Sequence, residues 1–237
     1  MSADRAGSDA TAALVLAAGR GERLGEALPK AFVPLSGKTL VERSVRALAS
    51  AGVFDVIQPV VAAADLDRWA KLDFDGVPGL RAPVAGGAER QDSMRAGLAA
   101  LPADVGWVAV HDAARCLVSA VDLKAVVAAA KASGAALLGE RSRDTLKRVR
   151  EGRVVETPPR DELWAAQTPQ VIRRDWLEAA MAAAVETGRL GTDDVQLVEW
   201  AGRPVTMVEA TAPNPKITRP EDLRTAEALI AEREREG

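Results

Sequence analysis

The chain has a single cysteine, Cys116, among its 237 residues. An intrachain disulfide is therefore excluded and a thiolate metal cage disfavoured. The expected setting is a reducing one, the cytoplasm. No stretch approaches the ~18 uninterrupted apolar residues of a membrane span, so no membrane is expected as a partner. Met1-Ser2-Ala3-Asp4-Arg5-Ala6-Gly7-Ser8-Asp9 has no apolar core of a signal peptide. Residues 1–10 read instead as a disordered tail. There is no cationic excess, because the net charge is −3. Bulk charge thus predicts no nucleic acid partner, and any cationic site must be a local cluster. Tyrosine is absent, which bears little on function, and histidine occurs once, as His111.

What is present suits one large α/β domain. The chain is 48% hydrophobic and 27% charged, as expected of a globular protein with a full core. It shows no internal repeat and no dividing linker, so residues 11–237 read as a single domain.

Ala12–Ala17 is a continuous apolar run, the pattern of a strand buried on both faces. Thr39-Leu40-Val41-Glu42 has capping-box spacing and opens a helix that stops near Gly52. Val56–Val61 reads as a second strand, although Pro59 cannot donate to a ladder. A short helix is expected around Asp65–Leu72, and Leu80–Val84 as a third strand. Asp92 or Ser93 can cap a helix to Leu101. Trp107–Val110 is a fourth strand that ends in His111-Asp112. Ser119 starts a helix through Ser133, and Ala135–Gly139 is a fifth strand. Helices follow at Arg174–Thr187 and from Thr192-Asp193-Asp194 to Trp200, then a strand at Val205–Glu209. Thr218 and Glu221, with Pro220 between them, open the last helix.

The alternation predicts a Rossmann-like, mostly parallel twisted sheet with helices on both faces. Residues 140–160 break the pattern. They flank Glu151-Gly152 with cationic side chains and too few apolar ones for a core, so they read as a projecting β-arm that needs a partner surface. In a parallel sheet ligands sit beyond the strand carboxyl ends. The Leu14–Gly25 turn and the His111-Asp112 corner both lie at such ends and could face one crevice.

That first turn, Leu14-Val15-Leu16-Ala17-Ala18-Gly19-Arg20-Gly21-Glu22-Arg23-Leu24-Gly25, followed by Pro29-Lys30, combines glycines with cations. Glycines let backbone N–H groups approach a ligand, and the cations imply that the ligand is anionic. A P-loop would need Gly-Lys-Ser/Thr at its end, which Leu24-Gly25-Glu26 does not supply. A dinucleotide fingerprint would need glycine where Leu24 stands, which disfavours an NAD-binding protein. A third reading is a nucleotidyltransferase.

Later motifs narrow the third reading. Ala85-Gly86-Gly87-Ala88-Glu89-Arg90-Gln91-Asp92-Ser93, Val110-His111-Asp112-Ala113-Ala114-Arg115, Arg143-Asp144-Thr145-Leu146-Lys147, Gln167-Thr168-Pro169-Gln170 and Lys216-Ile217-Thr218-Arg219-Pro220-Glu221-Asp222-Leu223 follow in order. Together they resemble the 2-C-methyl-D-erythritol 4-phosphate cytidylyltransferases, in the monofunctional form, over roughly residues 12–230. The resemblance implies transfer of a cytidylyl group from CTP to a polyol phosphate, with Mg²⁺, in the non-mevalonate isoprenoid pathway. It also implies a homodimer with exchanged arms.

By the same resemblance Arg23 and Lys30 act on the α-phosphate. Arg20 falls at a variable position and reads as a solvated cation. The backbone of Ala17, Ala18 and Gly19 lies along the nucleotide. Gly87 and Ser93 read cytosine, although Ser93 also reads as a helix cap. Asp112 is the Mg²⁺ ligand, and Arg115 lies near the substrate phosphate. Arg160 and Lys216 hold the acceptor, and Thr145 reaches it from the partner's arm.

A phosphate monoester, with a second pKa near ~6, is mostly dianionic at neutral pH and needs no general base. His111 therefore orients Asp112 or packs. Asp193 and Asp194 read as a helix N-terminal turn, not as metal ligands. Cys116 and Pro213 depart from the family pattern, which usually has proline after Arg115 and an acidic residue before Asn214. Ribitol-5-phosphate cytidylyltransferase and a catalytically silent nucleotide-binding module are the competing readings.

Overall fold

In a computed structural model, residues 8–19 and 28–236 are described. Strand β1 (Thr11–Ala17) lies inside the sheet, with a strand hydrogen-bonded on each side. Its side chains alternate between two cores. Ala13, Val15 and Ala17 face one apolar cluster, and Ala12 and Leu14 face the other. Both sides are buried, so the run is apolar without alternation, as its composition implies.

The other main strands are β4 (Val56–Val61), β5 (Val84–Ala85), β6 (Trp107–Asp112), β7 (Ala135–Arg141), β10 (Trp164–Arg173) and β11 (Thr206–Glu209). Between them lie two hairpins, β2 with β3 (Pro34–Leu35, Lys38–Thr39) and β8 with β9 (Arg148–Arg150, Arg153–Glu156). The sheet order is β11-β7-β10-β6-β1-β4-β5. Strand β10 runs antiparallel to both β6 and β7, and the other pairings are parallel. The mostly parallel expectation thus holds, with β10 as one reversed interior strand. After β5 the chain crosses to the far side of β1. The carboxyl ends of β1 and β6 therefore border a topological switch point, where such sheets bind ligands.

Helices α1 (Leu40–Ser50) and α4 (Ala120–Ser133) cover one face, through Val41, Val45, Leu48, Leu123 and Val126. Helices α3 (Arg90–Ala100), α5 (Arg174–Thr187) and α6 (Asp194–Trp200) cover the other, through Met94, Leu98, Leu177, Met181 and Val198. The single turn α2 (Leu66–Trp69) follows β4, and α7 (Pro220–Glu236) packs Ala226 and Ile230 against Leu35, Leu40 and Cys116.

Several local readings hold. Thr39 and Glu42 form the expected capping box on α1, and Ser119 caps α4 by accepting from the Asp122 N–H. Pro59 sits inside β4 opposite Val15. Ile57 and Val61 direct their backbone bonds toward the β5 side, where Ile57 pairs with Gly79 and Arg81 and Val61 accepts from Gly86. Pro59 faces the same side between them. There β5 has not yet begun, so no ladder partner is lost.

Two starts are corrected. Helix α3 begins at Arg90 behind Glu89, with the Asp92 carboxylate reaching back to the Glu89 N–H at 3.3 Å. Ser93 is thus a buried first-turn residue and not the cap. At α7 the carboxylate that accepts from the Thr218 N–H, the Thr218 hydroxyl and the Arg219 N–H belongs to Asp222. Glu221 instead faces Arg219 at 3.8 Å.

Residues 8–10 are tied to the body, since the Ala10 carbonyl accepts from Gly106 and Trp107 and the Asp9 carbonyl accepts from Lys131. The rest of the expected tail lies outside the described residues. The arm turns through Glu151 and Gly152, both at positive φ, and every residue of β8 and β9 is exposed. No helix among the described residues is long and apolar enough to cross a membrane.

Candidate active site

At the switch point the chain forms a crevice of about 180 Å³. The end of β1 supplies Ala17, Ala18 and Gly19. Gly87 and Ser93 come from the start of α3, Asp112 from the end of β6, Lys30 from the segment after the first turn, and Lys216 from the approach to α7. Most residues proposed from the sequence for the nucleotide therefore share one cavity. Arg23 and Arg20 lie outside the described residues. Gly86 packs tightly beneath the crevice wall. A Cβ there would stand 2.6 Å from Ser93 Oγ and 2.7 Å from Ala18 Cβ.

Asp112 is the hub. Its Oδ2 meets Lys216 Nζ at 2.6 Å, and its Oδ1 accepts from Arg90 Nε and Nη2 at 3.3 and 3.2 Å. Burial would push this carboxyl up, but Arg90 and Lys216 outweigh it and hold Asp112 well below the usual carboxylate range. Arg90 also grips Asp194 with two bonds, at 2.5 and 2.7 Å. Burial pushes the Asp194 carboxyl up, and the doubly bonded Arg90 restrains that rise.

The Asp112 backbone is fixed as well. Its N–H donates to Thr168 Oγ1 at 3.1 Å, and Thr168 Oγ1 stands 3.1 Å from His111 Nδ1. The Arg115 carbonyl, 3.2 Å from Nε2, can only accept, so Nε2 carries the proton and Nδ1 of the neutral ring accepts from the Thr168 hydroxyl. Both ring nitrogens are occupied in a neutral tautomer. Burial depresses His111 to about 4, against a partial pull from Asp112. His111 therefore orients the Asp112 corner and lacks a free nitrogen for base catalysis.

The acceptor residues are dispersed. Arg115 donates to the Asn214 carbonyl at 2.9 Å and the Ala166 carbonyl at 3.3 Å, beside the crevice. Thr145 and Arg160 are exposed at the base of the arm and do not line the crevice of their own chain. Among the described residues Arg160 reaches the Arg143 carbonyl, at 3.5 Å. Cys116 is buried in the α7 core, and burial pushes its thiol up to about 11. The Pro213 carbonyl accepts from Arg233, and Glu209 faces Arg141 at 3.3 Å.

The sequence reading missed Arg90, Thr168 and the inward role of Asp194. Arg90 lies within a motif used only for its glycines and serine. Asp193 does cap α6, by accepting from the Gln196 N–H. Asp194, the first helical residue, is 1% exposed and enters the core.

A doubly wound sheet with cations gathered around the Asp112 carboxylate at its switch point is the arrangement of a nucleotidyltransferase. The chain belongs to the 2-C-methyl-D-erythritol 4-phosphate cytidylyltransferase family, whose sequence description it matches over residues 11–232. It is 43% identical over 229 residues to the enzyme of that name from Pelotomaculum thermopropionicum, with 95% of this chain and 96% of the relative covered. Among solved structures it is similar to the 4-diphosphocytidyl-2C-methyl-D-erythritol synthase of Anaerococcus prevotii. There the TM-score is 0.82 at 27% identity, covering 94% of this chain and 99% of that one. The Thermus thermophilus 2-C-methyl-D-erythritol 4-phosphate cytidylyltransferase follows at TM-score 0.76 and 33% identity, covering 93% and 98%.

Proposed function

We propose that this chain joins CTP and 2-C-methyl-D-erythritol 4-phosphate to give 4-diphosphocytidyl-2-C-methyl-D-erythritol and pyrophosphate. The observation that carries the reading is the convergence of Lys30, Lys216 and Asp112 on the crevice beside the Ala17–Gly19 backbone, in a chain of this family. The acceptor's phosphate oxygen attacks the α-phosphorus of CTP, and the bond to the β-phosphate oxygen breaks. The nucleophile is already ionised, so positioning and charge stabilisation supply the catalysis. Lys30 and Arg23 bear on the α-phosphate. An arginine in that role contributes about 10³–10⁵ in rate in other phosphoryl transfers. Gly87 and the buried Ser93 read the cytosine edge, and mispaired polar groups there reject other bases.

The donor set fits Mg²⁺. Asp112 is a hard-oxygen ligand at the crevice wall, and Mg²⁺ commonly takes one or two carboxylates together with substrate phosphates. Asp112 would hold the ion, which when bound neutralises charge on the phosphates. Lys216, Arg115 and Arg160 orient the acceptor phosphate for in-line attack. Thr145 and Arg160 lie away from the crevice of their own chain, which supports a homodimer whose arms each complete the partner's site. The exposed Leu146, Val149, Val154 and Val155 give that arm an apolar surface to cover.

The test is pyrophosphate release from CTP and Mg²⁺ with each acceptor. Release with methylerythritol phosphate is expected. Release with ribitol 5-phosphate alone would overturn the substrate, and no release with any acceptor would leave a silent nucleotide-binding module. Arm exchange predicts that mixed dimers of Arg160→Ala and Lys30→Ala subunits regain activity. Failure to regain any would show that each site is complete within one chain.

A further inference from the structure

The Arg90–Asp194 pair has no part in the roles above, yet it reaches the hub of the site. Arg90 is the first residue of α3, and Asp194 is the first of α6. Asp194 is 1% exposed. Its position is held independently of Arg90, because its own N–H and that of Val195 both donate to Gln170 Oε1 at 2.9 Å. Gln170 Nε2 in turn donates to Asp193 Oδ2 at 3.0 Å. The start of α6 is thereby pinned to β10, the strand that flanks β6.

A tie between α6 and α3 would need only the Arg90–Asp194 bonds. The same guanidinium also directs Nε and Nη2 onto Asp112 Oδ1. A planar guanidinium held by one fixed carboxylate presents its remaining donors in a fixed geometry. The partner on the other Asp112 oxygen differs. Lys216 is a single ammonium on a flexible stem, 40% exposed at its side chain. One oxygen of Asp112 thus faces a rigid partner and the other an exchangeable one.

The charges point the same way. A bare guanidinium beside Asp112 would repel a cation approaching that carboxylate. The buried Asp194 carboxylate cancels the guanidinium charge while leaving its N–H donors in place.

We propose that Arg90, locked and neutralised by Asp194, is a positioning residue that fixes the Asp112 carboxylate for a metal-bound nucleoside triphosphate. The proposal rests on the cytidylyltransferase reading for its ligand. The test compares wild type with Asp194→Asn and Arg90→Lys. Asp194→Asn keeps shape and removes the counter-charge. Arg90→Lys keeps charge and removes the planar fork, at a side chain 34% exposed, so it remains informative if the buried substitution prevents folding.

CTP binding is measured by calorimetry without acceptor, with Mg²⁺ and then with EDTA, beside pyrophosphate release across a Mg²⁺ titration. Loss of a group that orients a metal ligand typically costs about 10–100-fold in metal affinity or activity. The half-saturating Mg²⁺ concentration should rise by that order in both variants. CTP affinity should fall with Mg²⁺ present and stay unchanged in EDTA, and Asp194→Glu should restore part of the loss. A folded variant with a lower melting temperature but an unchanged Mg²⁺ requirement would overturn the proposal, leaving a structural tie. Absence of pyrophosphate release by wild type would instead overturn the catalytic reading, and the calorimetry would still decide the role of Arg90.

Discussion

Gly86→Ala should damage the nucleotide crevice from behind, and its size follows from the contacts. A Cβ at residue 86 would stand 2.7 Å from Ala18 Cβ, 2.6 Å from Ser93 Oγ and 3.2 Å from Ser93 Cβ. Carbon atoms in contact rest at about 3.5–4.0 Å, so the closest pair overlaps by about 1 Å. Ser93 Oγ can rotate aside. Ala18 Cβ cannot, because it moves only with the backbone leaving β1. The Gly86 N–H is itself bonded to the Val61 carbonyl at 2.7 Å, so residue 86 is held against both walls. Overpacking of this kind costs about 1–3 kcal/mol. Because Ala18 cannot yield and Ser93 Cβ stays close after its hydroxyl turns, the upper part of that range applies, about 2–3 kcal/mol, or about 4–12 °C in melting temperature for a chain of this size. Because Ala18 and Ser93 both line the crevice, CTP affinity measured by calorimetry should fall as well. Ala18→Gly removes the nearest carbon, so the double variant should recover part of both losses in a double-mutant cycle. A Gly86→Ala protein with wild-type melting and CTP affinity, or a cycle with no coupling to Ala18, would refute the reasoning.

Thr168→Val leaves the Asp112 N–H and His111 Nδ1 without their shared partner. It should cost about 2–6 kcal/mol in urea denaturation, from two buried groups at about 1–3 kcal/mol each, and Thr168→Ser should restore most of it. His111 has a folded pKa of about 4, below its ordinary value, so the unfolded chain binds the proton first. Stability should therefore fall as pH drops, by about 2 kcal/mol between pH 7.5 and 5, and level off near the folded value. A flat urea midpoint over that window would contradict a neutral buried imidazole. Val149→Asp with Val154→Asp, both on the exposed arm, should yield a monomer by size exclusion with the melting of each chain's core retained. Cys116, buried with its thiol pushed up to about 11, should resist a thiol reagent in the native protein and react at the rate of unfolding.

Much of the fold was legible because its signals are local. The run through β1, the capping box of α1 and the Ser119 cap each depend on residues within one turn or one strand. The reversed direction of β10 was not legible, because Gln167-Thr168-Pro169-Gln170 carries no period that distinguishes a parallel from an antiparallel neighbour. Its register breaks between Ala166 and Gln170, and there Thr168 meets the Asp112 N–H. That contact joins residues 56 apart, and no local pattern encodes it.

The site divides along the same line. Asp112 stood out because an apolar strand ends on a charge at its carboxyl end. Its anchors did not, because an arginine in a first helical turn and an acid at a helix start both have ordinary solvent-facing explanations. Adjacent acids at a helix start nevertheless carry a usable signal. A helix has one N-cap position, so only one of Asp193 and Asp194 can cap it. The other must face either solvent or the core. A carboxylate turned into the core requires a cation that is itself held in place, so the search for its partner passes over flexible surface lysines to an arginine at the start of a neighbouring element. Arg90, in the first turn of α3, meets that condition and leads back to Asp112.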